Sequence, residues 1–352
     1  MAIPAFSPPA LPTLHDGSAA RITRLTPKLI GGPGASAFVE RALRLPGRGG
    51  TRSWPALAGD SWAVLDRILL GRRSALRSAV STMLLVTTLI AGILHFFVVQ
   101  ESAGEPRHHG DGQHTNVTFT PGAYAAETYG DLIAQVVRQD QVGVDLAATE
   151  IDVVAITDGA GRVRAWRVQL PSTQYWGVFN NAGVNDLSAD AVMTLFPALQ
   201  TQYERAVLDA MHRAGVDEST APIMFAGWSL GGMMAAKMAT TPQYADRARA
   251  VVAAGSPIDM YASRIGTRVD VTQVDNLVDP VHYLEIVGPE ARDTHPNWRT
   301  YWIADARVHN GTMYADGADR VVPKPRAKDR PFFADSAQGT REVVYTDRYS
   351  RN

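Results

Sequence analysis

The stretch APIMFAGWSLGGMMAAKMA, Ala221–Ala239, sets a serine between glycines where a short apolar run gives way to residues of high helix propensity. The run Pro222–Ala226 is too short for a helix and reads as a buried strand. A serine hydroxyl attacks a carbonyl only if it stands clear of its own backbone and a base can take its proton. A sharp strand-to-helix turn meets the first demand, provided that strained dihedrals fall at the serine and almost no side-chain bulk lies two residues to either side. Gly227 and Gly231 supply that space around Ser229. The first N–H groups of the following helix then point to where an oxyanion would develop. With 30 glycines in 352 residues the bare pattern Gly-x-Ser-x-Gly also arises by chance. The strand–turn–helix context, not the pattern, marks it as a nucleophile elbow.

Such a serine needs a histidine to accept its proton and a carboxylate to hold the imidazole in one tautomer. In a sheet of parallel strands these groups sit beyond the carboxyl ends of the strands. VTQVDNLVDPVHYLE places Asp275 and Asp279 after an apolar run, and Asp279, on the turn entering a helix, is the preferred acid. Asp275 is the runner-up, and either could instead be a helix cap. Three histidines follow. His282 is only three residues beyond Asp279, and His295 precedes a proline in a surface-turn sequence. His309 follows an apolar strand and precedes NGTMYAD, a position from which a loop can present a base, so it is the preferred choice. Two N–H donors must face the oxyanion. One is the backbone of Leu230, the residue after the nucleophile, and the other is expected in VQLPSTQYW at the backbone of Ser172 or Thr173.

The elements that would carry these residues are those of a compact α/β domain. PGAYAAETYGDLIAQVVRQ reads as a helix, and IDVVAITDGAGRVRAWRVQLP as two strands joined by a turn around Asp158–Gly161. Asp190 to Gly215 has helical periodicity. RAVVAAG near Ala248, RVDVTQV from Arg268 and WRTYWIA from Trp298 read as further strands, the last of them closing the series. Strands alternating with helices imply a mostly parallel sheet with helices on both faces. This domain is expected over residues 121–352.

The formal net charge of −1 conceals a division. Residues 1–78 hold 11 of the 34 Lys/Arg and 4 of the 35 Asp/Glu, leaving 23 against 31 in the remainder. A membrane explains the basic first part better than nucleic acid does. AVSTMLLVTTLIAGILHFFVV, Ala79–Val99, carries no formal charge and has the length of a bilayer-crossing helix. Arg67, Arg72, Arg73 and Arg77 precede it, while Glu101 and Glu105 follow. By the positive-inside rule the N-terminus is then cytoplasmic and the following domain extracytoplasmic. A buried core helix is the alternative.

Residues 1–55, rich in Pro, Gly, Ala and Arg, are expected to be irregular with at most a short helix near Ala37–Arg44. Residues 56–78 suit an amphipathic juxtamembrane segment, and 100–120 a polar linker. Within that linker His108, His109, Asp111 and His114 include metal-ligand types but read as a solvated run. The glycosylation pattern occurs at Asn116 and Asn310. The absence of cysteine excludes disulfides, thiolate zinc sites and cysteine nucleophiles.

From about Pro121 to Lys324 the chain resembles the α/β-hydrolase superfamily. The resemblance is carried by the elbow Gly227-Trp228-Ser229-Leu230-Gly231-Gly232 and by LPST, which is similar to the Pro-Gly-Thr loop of some lipase-like members. DNLVDPVHYL is similar to their acid-bearing turn, and His309 with Tyr314 to their histidine loop. It implies an α/β-hydrolase fold, preceded here by one transmembrane helix, and a Ser229–Asp279–His309 triad that needs no cofactor. The chain departs from the pattern in carrying Ser172 where those members have glycine, and in lacking a His-Gly-Gly sequence. The expected activity is hydrolysis of carboxylic esters, lipid-like or other acyl esters, through an acyl-enzyme. An acyltransferase using the same intermediate, or a non-catalytic binding module on the same fold, are the alternatives.

Overall fold

In a computed structural model, the structure describes residues 74–110, 115–120, 124–284 and 294–352. The chain divides between Thr88 and Leu89 into two units, of which the second is compact. The second unit is built on a nine-stranded sheet with strand order β1-β9-β3-β4-β5-β6-β7-β8, in which β2 also pairs with β9. Its parallel part comprises β4 (Val163–Leu170), β5 (Ile223–Trp228), β6 (Ala248–Ala254), β7 (Asp270–Asn276) and β8 (Trp298–Ile303). Its antiparallel part joins β3 (Thr149–Thr157) to β4, and β9 (Arg341–Ser350) to β3, β1 (Arg107–His109) and β2 (Thr115–Phe119).

Helices cover both faces, which is why β3 and β7 are buried along their whole length, polar residues included. Side chains still alternate between faces. Ile151, Val153, Phe225, Val251 and Val271 enter one core with α4 (Gln202–Arg213) and α5 (Leu230–Ala239). Val154, Ile156, Met224, Val252 and Val274 enter the other with α2 (Tyr129–Leu146) and α7 (Gly311–Val321). Helix starts are chemically marked. Thr128 and Asp131 form a capping box on α2, Asp186 caps α3 (Leu187–Leu195), and the Asn310 side chain accepts from Met313 N–H at the start of α7. The Asn310 carboxamide is therefore occupied as a cap.

The strands expected near Ile151–Pro171, Ala248, Arg268 and Trp298 are present, and Asp190–Gly215 forms α3 and α4 with a break between them. Three expectations need correction. The helix sought from Pro121 begins only at Tyr129, where the Thr128 cap sits. Trp298–Ile303 is not the last strand, because β9 returns the C-terminus to the middle of the antiparallel part. Residues 100–120 are not a linker; they hold the end of a helix and the strands β1 and β2. The irregular 1–55 region with its short helix near Ala37–Arg44, the segment 56–73 with Arg67, Arg72 and Arg73, and Asp111 and His114 lie outside the described residues.

Helix α1 runs from Ser74 to Ala103, so Arg77 is helical. Its span Thr82–Ala103, 22 residues of mean hydropathy 2.2, is long and apolar enough to cross a membrane. Met83, Leu89 and Ile90 are 73%, 62% and 52% exposed, unlike the side chains of a buried core helix. The last turns differ. Phe97 and Glu101 are enclosed by the domain, and Glu101 meets Arg351, Ser188 Oγ (2.8 Å) and Gln202 N–H (2.8 Å). Arg351 also forms a forked pair with Asp186, 2.6 Å at each arm.

A buried cation flanked by two carboxylates fixes what its removal costs. Arg351→Ala leaves Glu101 and Asp186 facing each other unneutralised and is expected to cost about 3–5 kcal/mol of stability. Glu101→Gln leaves the Arg351–Asp186 fork intact and is expected to cost less. Denaturant unfolding of the detergent-solubilised chain measures both, and an equal or reversed order would contradict this assignment.

Candidate active site

The turn after β5 is as tight as the sequence requires. Ser229 has φ 53° and ψ −126°, a region that non-glycine residues rarely occupy. A side chain at Gly227 would overlap the backbone of Gly231, and one at Gly231 would overlap the carbonyls of Leu170 and Pro171. The helix α5 therefore starts pressed against the end of β4. A serine at a helix start ordinarily caps it, but the Ser229 hydroxyl makes no cap hydrogen bond. It lies instead 2.9 Å from His309 Nε2.

His309 Nδ1 is 2.6 Å from Asp279 Oδ2. Ser229 follows β5, Asp279 follows β7 and His309 follows β8, all at the carboxyl ends of strands in the parallel part of the sheet. Asp279 is fully buried. Burial works to raise its carboxyl, but hydrogen bonds from His309, from Tyr314 Oη (2.6 Å) and from Val281 N–H (2.9 Å) outweigh it and hold it below the usual carboxylate range. Tyr314 is pushed far above its ordinary value by burial and by the adjoining carboxylate, so it remains a donor. The Trp228 ring, 5.0 Å from His309 between centroids and tilted by 37°, closes the other side of the imidazole.

The alternatives are elsewhere. Asp275 is buried within β7 and does not meet His309. His295 precedes β8 at its amino end, about 20 Å of strand from the edge where Ser229 lies. Its ring packs against Trp298. The backbone at His282 forms part of a single 3-10 turn, Val281–Leu284. His108 is held by Asp347 at 2.7 Å in the antiparallel part, and no metal-binding cluster occurs among the described residues.

The expected oxyanion donors separate into one that is spent and two that are free. Ser172 N–H donates to Asp140 Oδ1 (2.7 Å) and Ser172 Oγ to Asp140 Oδ2 (2.7 Å), so Ser172 is corrected from candidate donor to a fixed point of the loop. The N–H groups of Leu230 and Thr173 have no acceptor among the described residues. Thr173 Oγ1 donates to Asp190 (3.3 Å), whose carboxyl is raised to about 6 by burial while His309 lies close enough to lower it.

Asp140 escapes sequence reading because its partners lie 32 and 88 residues away. It also accepts from Trp228 Nε1 at 2.6 Å, so one carboxylate ties the loop after β4 to the residue before Ser229. Its burial pushes the carboxyl up to about 6 against the pull of these donors. The chain matches no family model, no curated protein and no solved structure.

Asp140→Asn replaces an acceptor-only group by one that turns N–H toward donors, and the loop and elbow should lose their common tie. Because the geometry around Ser229 and His309 moves, the rate at which a fluorophosphonate modifies Ser229 is expected to fall about 100-fold. Stability should respond in the opposite sense with pH. The unfolded carboxyl ionises near its ordinary value and the folded one only near 6, so ionisation weakens the wild type as pH rises between these values. The variant lacks that loss, and its stability relative to wild type should rise from pH 4 to pH 7. A flat difference would contradict the assignment.

Proposed function

We infer that the chain is a serine hydrolase of the α/β-hydrolase type that cleaves carboxylic esters, lipid-like or other acyl esters, from a membrane anchor. The observation that carries this reading is the continuous chain of contacts Ser229 Oγ–His309 Nε2–His309 Nδ1–Asp279 Oδ2, at 2.9 and 2.6 Å, with the serine at a left-handed φ. The half-parallel sheet flanked by helices, with the three groups at its carboxyl edge in the order Ser, Asp, His, supports the same class.

In this reading the Ser229 Oγ bonds to the acyl carbon while its proton passes to His309 Nε2. The carbonyl electron pair goes to the oxyanion, which takes hydrogen bonds from Leu230 N–H and Thr173 N–H. Collapse expels the alkoxide, which leaves as the alcohol with the proton from His309. Water then attacks the acyl-enzyme, giving its proton to His309, and Ser229 recovers that proton as the acid departs. Asp279 stays ionised throughout and steadies the imidazolium. Tyr314 and Val281 hold Asp279, and Trp228 and Asp140 hold the other wall.

The span Thr82–Ala103 serves as the anchor in this reading, and the arginines before it favour a cytoplasmic N-terminus with the catalytic unit on the opposite side.

Triad members act as a unit, which gives the test its pattern. Ser229→Ala and His309→Ala should each lower kcat by about 10⁴-fold or more, and the double variant scarcely further. Asp279→Asn should cost about 10³–10⁴-fold with the unfolding transition retained. Steady-state hydrolysis of a chromogenic ester measures this. A Ser229→Ala enzyme near wild-type activity would remove the proposal.

A further inference from the structure

The loop that leaves the candidate oxyanion strand carries two large apolar side chains into the open. Trp176 is 63% exposed and Phe179 is 83% exposed. The loop is not loose. Its base is closed by Gln174 N–H to Asn185 O and Leu187 N–H to Tyr175 O, at 2.9 and 2.8 Å. Its far side is held by Asn180, which donates to Asp186 at 2.8 Å, the carboxylate that forks onto Arg351. Glu101 belongs to the same buried cluster. The loop and the last turns of α1 are therefore fixed to one set of charges.

That connection sets the loop's depth. Phe179 makes an edge contact with Phe96 of α1, 5.4 Å between ring centroids. Leu89 is the middle of the apolar run Ala79–Val99, and Phe96 lies seven residues beyond it. At the helical rise this is about 10 Å from the midplane, whereas the hydrocarbon layer extends about 15 Å from it. A side chain in ring contact with Phe96 shares that depth. Glu101, about 7–8 Å further along the helix, reaches the polar side, as its charged partners demand.

We propose that the Trp176–Asn180 loop is embedded in the interface of the membrane that α1 crosses, so that esters enter the Ser229 site from the bilayer with their acyl chains still in it. The proposal rests on the hydrolase and anchor readings and adds the source of the substrate. The loop starts three residues after Thr173, a candidate oxyanion donor, so a lipid lying against Trp176 and Phe179 is beside the reacting carbon. Tryptophan suits this boundary because its ring is apolar while its N–H can face water or headgroups. Phe179, which lies against Phe96 of α1, has no polar group to satisfy.

The absence of cysteine makes the test direct, since a single introduced thiol is the only one to label. Full-length Phe179→Cys, Leu89→Cys and Gly159→Cys, each carrying an environment-sensitive fluorophore, are reconstituted into phosphatidylcholine vesicles containing nitroxide-labelled lipid. Gly159 sits on the exposed turn between β3 and β4, with open space around it. The expected result is strong quenching at 89, strong quenching at 179 by nitroxide near the headgroup, and little at 159. Quenching at 89 with position 179 as unquenched as 159 overturns the proposal and leaves the anchor standing. No quenching at 89 or 179 overturns both. None of these readouts requires catalysis. For the substrate half, Phe179→Glu should lower hydrolysis of a long-chain ester in vesicles at least tenfold and leave a short, water-soluble ester within about twofold. Equal loss on both substrates overturns the claim that the loop admits lipid.

Discussion

Everything at the candidate site follows from one close approach, the start of α5 against the carboxyl end of β4. Two backbones come together there with no room for a side chain at Gly231, and the same crowding leaves none at Gly227. The chain can make that turn only by forcing Ser229 to φ 53°, a strain worth about 1–3 kcal/mol. The strain is held by its surroundings: Ser229 N–H is bonded to Ala254 O, and α5 is buried along its whole length. In return the hydroxyl is freed from capping and turned toward His309, and the Leu230 N–H is left without an acceptor among the described residues.

Around that turn, buried charge is used to position rather than to stabilise. Asp279 and Asp140 each collect three hydrogen bonds, one set behind the imidazole and the other between the elbow and the loop after β4. The balance differs. At Asp279 the hydrogen bonds overcome desolvation, and at Asp140 desolvation prevails. A third buried cluster, Glu101–Arg351–Asp186, fixes the last turns of α1 to the loop that grows out of the site. Glu101, Asp140 and Asp186 are thus read through one chain of fixed elements, from helix end to loop to elbow.

Local chemistry was legible in the sequence where it depends on residues close together. The elbow needs glycines two positions from a serine, and that spacing is visible directly. The β3–β4 hairpin and β6 announce themselves as apolar runs between turn residues, and β7 and β8 as short runs rich in β-branched or aromatic residues. Asp279 and His309 were preferred by their order after strands, and the hydrogen bonds bring those two to Ser229 rather than Asp275 or His295. What was not legible depends on distant partners. β1 and β2 are polar strands whose pairing is supplied by β9, over 200 residues later, so 100–120 looked like a linker. Glu101 looks like the first charged residue after a span because its partner Arg351 is 250 residues away in the sequence. Ser172 looked like a free donor because nothing in its own loop shows that Asp140 takes its N–H.

The central claim is that the turn at residue 229 creates a serine nucleophile activated by His309. Intact-mass and peptide mapping after exposure of the full-length protein to a fluorophosphonate measures this most directly, because such reagents form a covalent bond only with an activated serine. One adduct per chain is expected, on the peptide containing Ser229, and it should be lost when the protein is first unfolded or His309 is replaced by alanine. An unmodified folded chain, or an adduct on another residue, would contradict it.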